Sequence, residues 1–548
     1  MMPDRIDFGL LEVAPEMIVR QLRQDMRDDW YPDSLGYEDV LTPNTVAEAI
    51  TGAIEGNNGL FPPERRIELN IPKKGFVLRY SLETSIFDRA YYHSLVQYLA
   101  PLYDELLPGQ VLSHRHAGSG QRAGRYLFLH PIEQWKLFEG YVAQEMASSP
   151  VVLVTDIQNY YENINISYLV EILRRRVPDL KVGGADKAKV RTVIDELERC
   201  LREWCYMPSH GLPQNRDASS FLANSLLLPV DTEMLRRGYK YYRYMDDIKI
   251  ATTSRYRARA ALQDLIVELR KLGLNVNAAK TEILEPGMPG HQALLLTRNT
   301  DLEQIDSMWR SRSLTVIRRS FAPLRRLAST LIREGRTQER AFRFCVQRFE
   351  NLALCSEIDV PDDFFRPLIE VAIQELDTQP CSTDQLVRFL KAAPASDEHV
   401  RRVASFLTDH DRAIYDWQNY LLWQLLVYKK YLDNDLLGIA RRRICQPSLL
   451  ADRAGSMLYL GAMGTDDDRI ELARVFDTCR HHLLQRNALI AMHELDYNAG
   501  IKEYVVPHVL NSVKGSYKRI RQRFRGCYHR PLPAVSYLDI YDEVTSYE

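Results

Sequence analysis

Two short apolar runs meet at a pair of acids in Tyr241-Tyr242-Arg243-Tyr244-Met245-Asp246-Asp247-Ile248-Lys249-Ile250. Aromatic and β-branched residues on either side of such a pair read as two strands joined by a tight turn, which lifts Asp246 and Asp247 to the tip of a hairpin. Acidic pairs in turns are ordinarily solvated loop residues. Here, however, Val151-Val152-Leu153-Val154-Thr155-Asp156 lies upstream, an apolar β-branched run that reads as a buried central strand ending on a carboxylate. If that strand lies beside the hairpin, Asp156 and Asp246 converge on one point. Convergent carboxylates suit hard divalent cations, which take oxygen ligands and leave room for substrate phosphate oxygens. Two such ions can clamp the attacking and leaving oxygens of an in-line phosphoryl displacement, so the chemistry suggested is nucleotidyl transfer.

The same residues carry a family resemblance. Tyr244-Met245-Asp246-Asp247 resembles the YxDD signature of reverse transcriptases, and Asp156-Ile157-Gln158-Asn159-Tyr160-Tyr161 resembles the strand motif that precedes it. Gly211-Leu212-Pro213-Gln214, with Ser219-Ser220-Phe221-Leu222-Ala223-Asn224, is similar to the motif between the two, and Lys280-Thr281-Glu282 to the one that follows. The resemblance implies a right-hand polymerase, α+β in its palm and fingers, with a three-stranded antiparallel palm core, acting on deoxynucleoside triphosphates. It implies two Mg²⁺ ions, replaceable by Mn²⁺, held by the set Asp156, Ile157, Asp246 and Asp247. Tyr161, five positions after Asp156, falls where the family places an aromatic gate against a ribose 2′-OH. Gln214 falls near the nascent base pair. Lys280 stands where it can protonate departing pyrophosphate, or it is simply a surface lysine.

Further upstream, Ile71 to Tyr80 reads as two strand-like pieces around a Lys-Lys-Gly turn. By resemblance Lys74 and Arg79 would stabilise the charge growing on the triphosphate. A solvated basic hairpin is the plainer alternative. Arg115, in Ser113-His114-Arg115-His116, is a further candidate for template or phosphate contact. Asn215 departs from the commonest family pattern, in which glycine holds that position, and a side chain there would reshape the slot for template and nucleotide.

Composition bounds the rest. A chain of 548 residues predicts at least two domains. With 71 basic against 73 acidic residues the net charge is near zero, so any basic surface must be local. No apolar run reaches the length of a membrane span, Met1-Met2-Pro3-Asp4-Arg5 lacks signal-peptide features, and the eight cysteines are scattered without a CxxC pair, all of which points to a reduced, cytoplasmic setting.

Residues 1–297 read as fingers and palm. Beyond the Pro-Gly-Met-Pro-Gly break near Pro286 the pattern is helical to about Phe524, and residues 298–548 read as an all-α, HEAT-like helical-repeat domain in place of a thumb. Two stretches are locally basic: Arg310 to Arg348, and Lys514 to Arg530 with interleaved aromatics. A concave face of this kind would bind single-stranded DNA product or RNA. With no maturase or endonuclease segment recognised, the layout is similar to that of bacterial defence-associated reverse transcriptases of the abortive-infection type. That resemblance implies a homo-oligomer making DNA without a template, primed on a tyrosine. Tyr31, Tyr37, Tyr541 and Tyr547 look accessible. The alternatives are copying of a dedicated noncoding RNA, and a non-catalytic defence scaffold with a vestigial polymerase site.

Overall fold

A computed structural model describes residues 6–8, 10–118, 126–295, 300–337, 339–447 and 449–540. The chain forms two compact units. The first comprises residues 1–29, 42–68 and 82–297, and the second comprises 30–41, 69–81 and 298–548. Among the described residues no helix is long and apolar enough to cross a membrane.

The first unit is built on an antiparallel sheet of β1 (Val151–Asp156), β2 (Lys240–Tyr244), β3 (Asp247–Thr252) and β4 (Glu282–Leu284), in the order β2-β3-β1-β4. The sheet has four strands rather than three. The stretch Leu274 to Asn277 leads into a short turn at Ala278–Lys280, and the chain becomes extended from Glu282, where β4 pairs along β1. β1 is central and almost wholly buried, as its unbroken apolar run requires. One face packs on the Pro131–Glu145 helix through Phe138, Val142, Met146, Val152 and the rings of Trp135, Tyr242 and Tyr244. The register sets Asp156 opposite Asp247 and Tyr244 opposite Asp247. Only Met245 and Asp246 therefore form the turn, and Met245 takes a left-handed φ of 55°.

In the second unit, alternate helices stack into two rows. Arg340–Leu354, Thr383–Ala392, Asp416–Tyr428, Leu450–Met463 and His482–Ala491 pack one on the next, while Asp362–Thr378, Asp397–Thr408 and Asn434–Arg443 form the other row. Such nearest-neighbour stacking is the architecture of a helical solenoid. The first row is buried almost all round at Asp416–Tyr428 and Leu450–Met463, and small residues let its helices approach. At Gly461 a Cβ would lie 2.4 Å from the Ala491 Cα, too close for any other residue without backbone movement.

Residues 30–41 are stitched into this solenoid. Trp417 donates its indole N–H to the Trp30 carbonyl (2.6 Å), and Tyr420 and Gln424 donate to the Pro32 carbonyl (2.9 and 2.7 Å). The buried Arg486 guanidinium forks onto Asp33 (2.8 and 3.1 Å) and Asp39 (2.9 and 2.6 Å). The aromatic ring of Tyr37 lies under the same guanidinium. Tyr31 and Tyr37 are thus buried, contrary to the accessibility expected of a Pro- and Asp-rich loop, while Tyr541 and Tyr547 lie outside the described residues. Replacing Arg486 by Ala leaves buried Asp33 without this counter-charge and Asp39 with Arg519 Nε at 4.0 Å in its place, and should cost about 3–5 kcal/mol in a denaturant titration. Arg486→Lys should not restore the loss, because an ammonium cannot serve both acids bidentately.

Candidate active site

The end of β1, the β2–β3 turn and the turn before β4 meet at one place. The Ile157 amide donates to the Asp246 carbonyl (3.2 Å), the Asn277 amide to the Asp156 carbonyl (2.7 Å), and the Gln158 amide to the Asn275 carbonyl (2.9 Å). These backbone bonds bring Asp156, Ile157, Asp246, Asp247 and Lys280 together. Lys280 Nζ lies 2.7 Å from Asp156 Oδ2, and Asn277 Nδ2 donates to Asp156 Oδ1 at 3.2 Å. Burial, and then the charges of Asp247 and Asp156, push the Asp246 carboxyl up to about 7. Burial and Asp156 raise Asp247 as well, against the opposing charge of Lys280. Burial favours loss of the Lys280 proton, but the Asp156 hydrogen bond and the three acids outweigh it and hold the ammonium above its usual range.

The turn that carries Asp246 is fixed from beneath by Arg243. This arginine is fully buried on the face of β2 that also holds Tyr241. Its guanidinium forks onto Asp231 (2.8 and 2.6 Å) and donates to Asn224 Oδ1 (2.7 Å) and the Met245 carbonyl (2.9 Å). Asn224 in turn donates to the Ser113 carbonyl at 2.6 Å. Neither Arg243 nor Asn277 was singled out from sequence. For Arg243 the available signal is a lone cation two residues from Tyr241 on the inward side of a strand, a position that demands a buried acid. Asn277 gives no signal until the turn is seen.

The second motif lies alongside. Tyr161 follows β1 in the short helix Tyr160–Asn163, half-buried, within electrostatic reach of Asp246, and burial holds its hydroxyl well above its usual range, so it remains a donor. The Asp217–Leu226 helix opens on Arg216, which is locked in a ring of buried charges. Arg89 pairs with Asp29 (2.7 Å) and Glu83, and Arg216 pairs with the same Asp29 (2.8 Å) and Glu83 (2.9 Å). Gln214 is buried in the loop before it. Asn215 adopts φ 56°, and Asn159 adopts φ 45°. Asparagine is among the few side chains that tolerate this region, so Asn215 keeps the backbone geometry that glycine would give.

Three further candidates have partners of their own. Lys74 and Arg79 belong to the second unit. Lys74 is exposed at the hairpin tip, where it adds to the Arg336 hydrogen bond in holding the Glu339 carboxyl low, and the Arg79 guanidinium stacks 5.3 Å over Trp30. Arg115 is not a template contact: Asp104 takes two of its donors (2.8 and 3.2 Å), and the carbonyls of Pro108 and Val111 accept from Nη1 at 2.9 Å. It closes the loop that follows the Ile86–Asp104 helix.

Comparison with known proteins agrees with this geometry. Residues 71–315 match the family model "Reverse transcriptase (RNA-dependent DNA polymerase)". No curated protein matches. Among solved structures the chain is similar to telomerase from Candida albicans in complex with a TWJ fragment of telomeric RNA, at 10% identity and a TM-score of 0.30, over 71% of this chain and 62% of that one. It is also similar to apo telomerase from Candida tropicalis, at 12% identity and a TM-score of 0.31, over 77% and 72% of the respective chains. The chain thus spans less than two thirds of the length of the first of these. Residues 71–315 are a reverse transcriptase domain of the right-hand fold, and the region that follows is mostly helical.

Proposed function

We propose that the protein is a reverse-transcriptase-type DNA polymerase of the abortive-infection defence class, transferring nucleotides from deoxynucleoside triphosphates. The observation that carries the reading is the convergence of Asp156, Asp246 and Asp247 beside Lys280, with Tyr161 next to them. Among the described residues no three His, Cys, Asp or Glu side chains are grouped closely enough to hold a metal ion by themselves. Asp156 and Asp246, aided by Asp247 and the main-chain carbonyl of Ile157, nevertheless fit Mg²⁺, which typically takes one or two carboxylates and completes its shell with water and substrate phosphate. An Asp246 carboxyl held near 7 by burial and like charge is a group that a cation would relieve. Two bound Mg²⁺ ions, or Mn²⁺ in their place, would supply neutralisation of phosphate charge during in-line displacement.

The chain's own residues have separable duties. Asp156 and Asp246 orient the phosphates, and Lys280 holds the proton that leaving pyrophosphate requires. Tyr161 excludes a ribose 2′-OH, and Gln214 lines the slot for the base pair. Lys74 and Arg79 are the proposed counter-charges for the triphosphate. Polymerase residues lie in 1–297 and the thumb replacement in 298–548.

The solenoid in the thumb's place favours untemplated, protein-primed synthesis by a cytoplasmic homo-oligomer. Asn215, which keeps the left-handed backbone of a glycine, would favour that version through its side chain in the slot. Tyr31 and Tyr37 are excluded as primers by burial, whereas Tyr256 is 81% exposed. Single-stranded product, or a template RNA in the competing templated version, would run along the arginines of Leu314–Arg319 and Phe321–Arg333. Among the described residues, Arg318, Arg319, Arg325 and Arg326 make no ion pair.

Purified protein incubated with Mg²⁺ and labelled deoxynucleotides, without primer or template, should carry label on a denaturing gel that nuclease removes and Asp246→Asn abolishes. Label appearing only after a primed RNA template is added would replace this version with the templated one, and an unlabelled protein under both conditions would reduce it to a scaffold. Metal binding has its own readout. A raised carboxyl pKa costs stability as pH rises towards it, because the unfolded acid ionises first. Mg²⁺ should therefore raise the melting temperature more at pH 8 than at pH 6, and Asp246→Asn should flatten the difference. A melting temperature indifferent to Mg²⁺ at both pH values would remove the metal site.

A further inference from the structure

Tyr161 is held at both ends. Its carbonyl accepts from the Leu212 amide (3.1 Å), and its hydroxyl lies 2.8 Å from Ser220 Oγ. Ser220 is buried in the Asp217–Leu226 helix and donates its single hydroxyl hydrogen to the Arg216 carbonyl four residues back (3.1 Å). With that hydrogen committed, Ser220 can only accept from Tyr161. The bonds therefore run one way, from the Tyr161 hydroxyl through Ser220 to the Arg216 carbonyl. They end on a residue whose guanidinium is fixed by Asp29 and Glu83. Tyr160 is anchored to the same helix by donation to the Ala223 carbonyl (2.5 Å), so the ring beside Tyr161 does not yield either.

An aromatic gate discriminates by clash, and a clash costs free energy only if the ring cannot move aside. We propose that Ser220 is a positioning residue for sugar selection, keeping the Tyr161 ring where a ribose 2′-OH must meet it and coupling the gate to the motif that lines the base-pair slot. This rests on the reading of Tyr161 as the gate. Burial of Ser220 away from solvent, and its place on a different motif from Tyr161, mean that discrimination can be altered without touching the ring or the carboxylates.

The test compares dATP with ATP on the full chain, by steady-state incorporation and by titration of binding. Ser220→Ala should raise relative use of ATP about tenfold, the effect of one hydrogen bond of about 1.4 kcal/mol, through a lower KM for ATP with kcat for dATP unchanged. Tyr161→Phe should raise the relative use of ATP by a similar factor. The double variant should go no further than either alone, since both remove one interaction. Ser220→Thr should retain wild-type selectivity, because threonine in a helix makes the same bond to the carbonyl four residues back. Ser220→Ala with unchanged selectivity, while Tyr161→Ala loses it, would overturn the positioning role and leave the gate standing. Unchanged selectivity in Tyr161→Ala, or equal affinity of the wild type for dATP and ATP, would overturn the gate itself and the inference with it.

Discussion

Three carboxylates within electrostatic reach of one another repel, and much of the first unit is arranged to tolerate that repulsion. Ordinary folding would disperse Asp156, Asp246 and Asp247; the strand register instead places Asp156 directly opposite Asp247, with Asp246 one residue away. Cations answer at two levels. Lys280 touches Asp156 directly, whereas Arg243 neutralises nothing at the site and instead grips the Met245 carbonyl from the other face of the sheet. That second kind of support is mechanical. Asp231 makes it possible, because a buried guanidinium without an acid would be untenable in a protein interior. Left-handed Asn159, Asn215 and Met245 each sit in a different one of the motifs flanking the site, a concentration of unfavourable backbone of the sort that persists only where surrounding bonds over-determine it.

The ring of Asp29, Arg89, Glu83 and Arg216 plays the matching role for the second motif. Two arginines alternating with two acids satisfy one another's charges, and each acid accepts from both guanidinium groups. An apolar cluster of equal volume could be just as stable, so the ring is better understood through geometry than through stability. It fixes the N-terminal end of the Asp217–Leu226 helix from two other stretches of chain, at Asp29 and at Glu83 to Arg89. Asp217 is held further by the Asp25 carboxylate on its amide (2.8 Å) and by Gln21 (2.6 Å) and His114 (3.2 Å) on its side chain.

The motifs, the buried strand ending on Asp156 and the helical character of the second half were legible because they depend on local pattern: apolar runs, turn residues and the 3.6-residue period. What escaped was partnership. Arg486 and Asp33 are 453 residues apart, and no periodicity announces that a Pro- and Asp-rich loop will be threaded through a solenoid far along the chain. For the same reason Tyr31 and Tyr37 read as exposed. Arg115 shows the converse error: a basic residue between histidines suggested a phosphate contact, but its five-donor fork was already satisfied by a nearby acid and by carbonyls of a tight loop, neither of which a one-dimensional reading weighs. The edge strand β4 is only three residues long, below the length at which alternation can be recognised, so its pairing along β1 could not be read from pattern alone.

Partnership also separates the two basic stretches, which look alike as sequence. In Lys514 to Arg530 several cations are paired at the surface: Arg521 pairs with Asp496, Arg523 and Arg530 with Glu38, and Arg519 approaches Asp39, while Tyr517 and Tyr528 are buried. This stretch clamps the threaded N-terminal loop. Residues 311–333 contain six arginines and no acid, and Arg312, Arg318, Arg319, Arg325, Arg326 and Arg333 are all exposed. On the Phe321–Arg333 helix the spacing of Arg325, Arg326 and Arg333 keeps them to one side, opposite the buried Leu324, Ala328 and Leu331. A protein of nearly zero net charge can therefore still present a concentrated cationic face, because its acids are spent elsewhere on binding its own loops. A polyanion approaching the second unit would exchange condensed counterions for this stripe, and the contact would weaken steeply with salt.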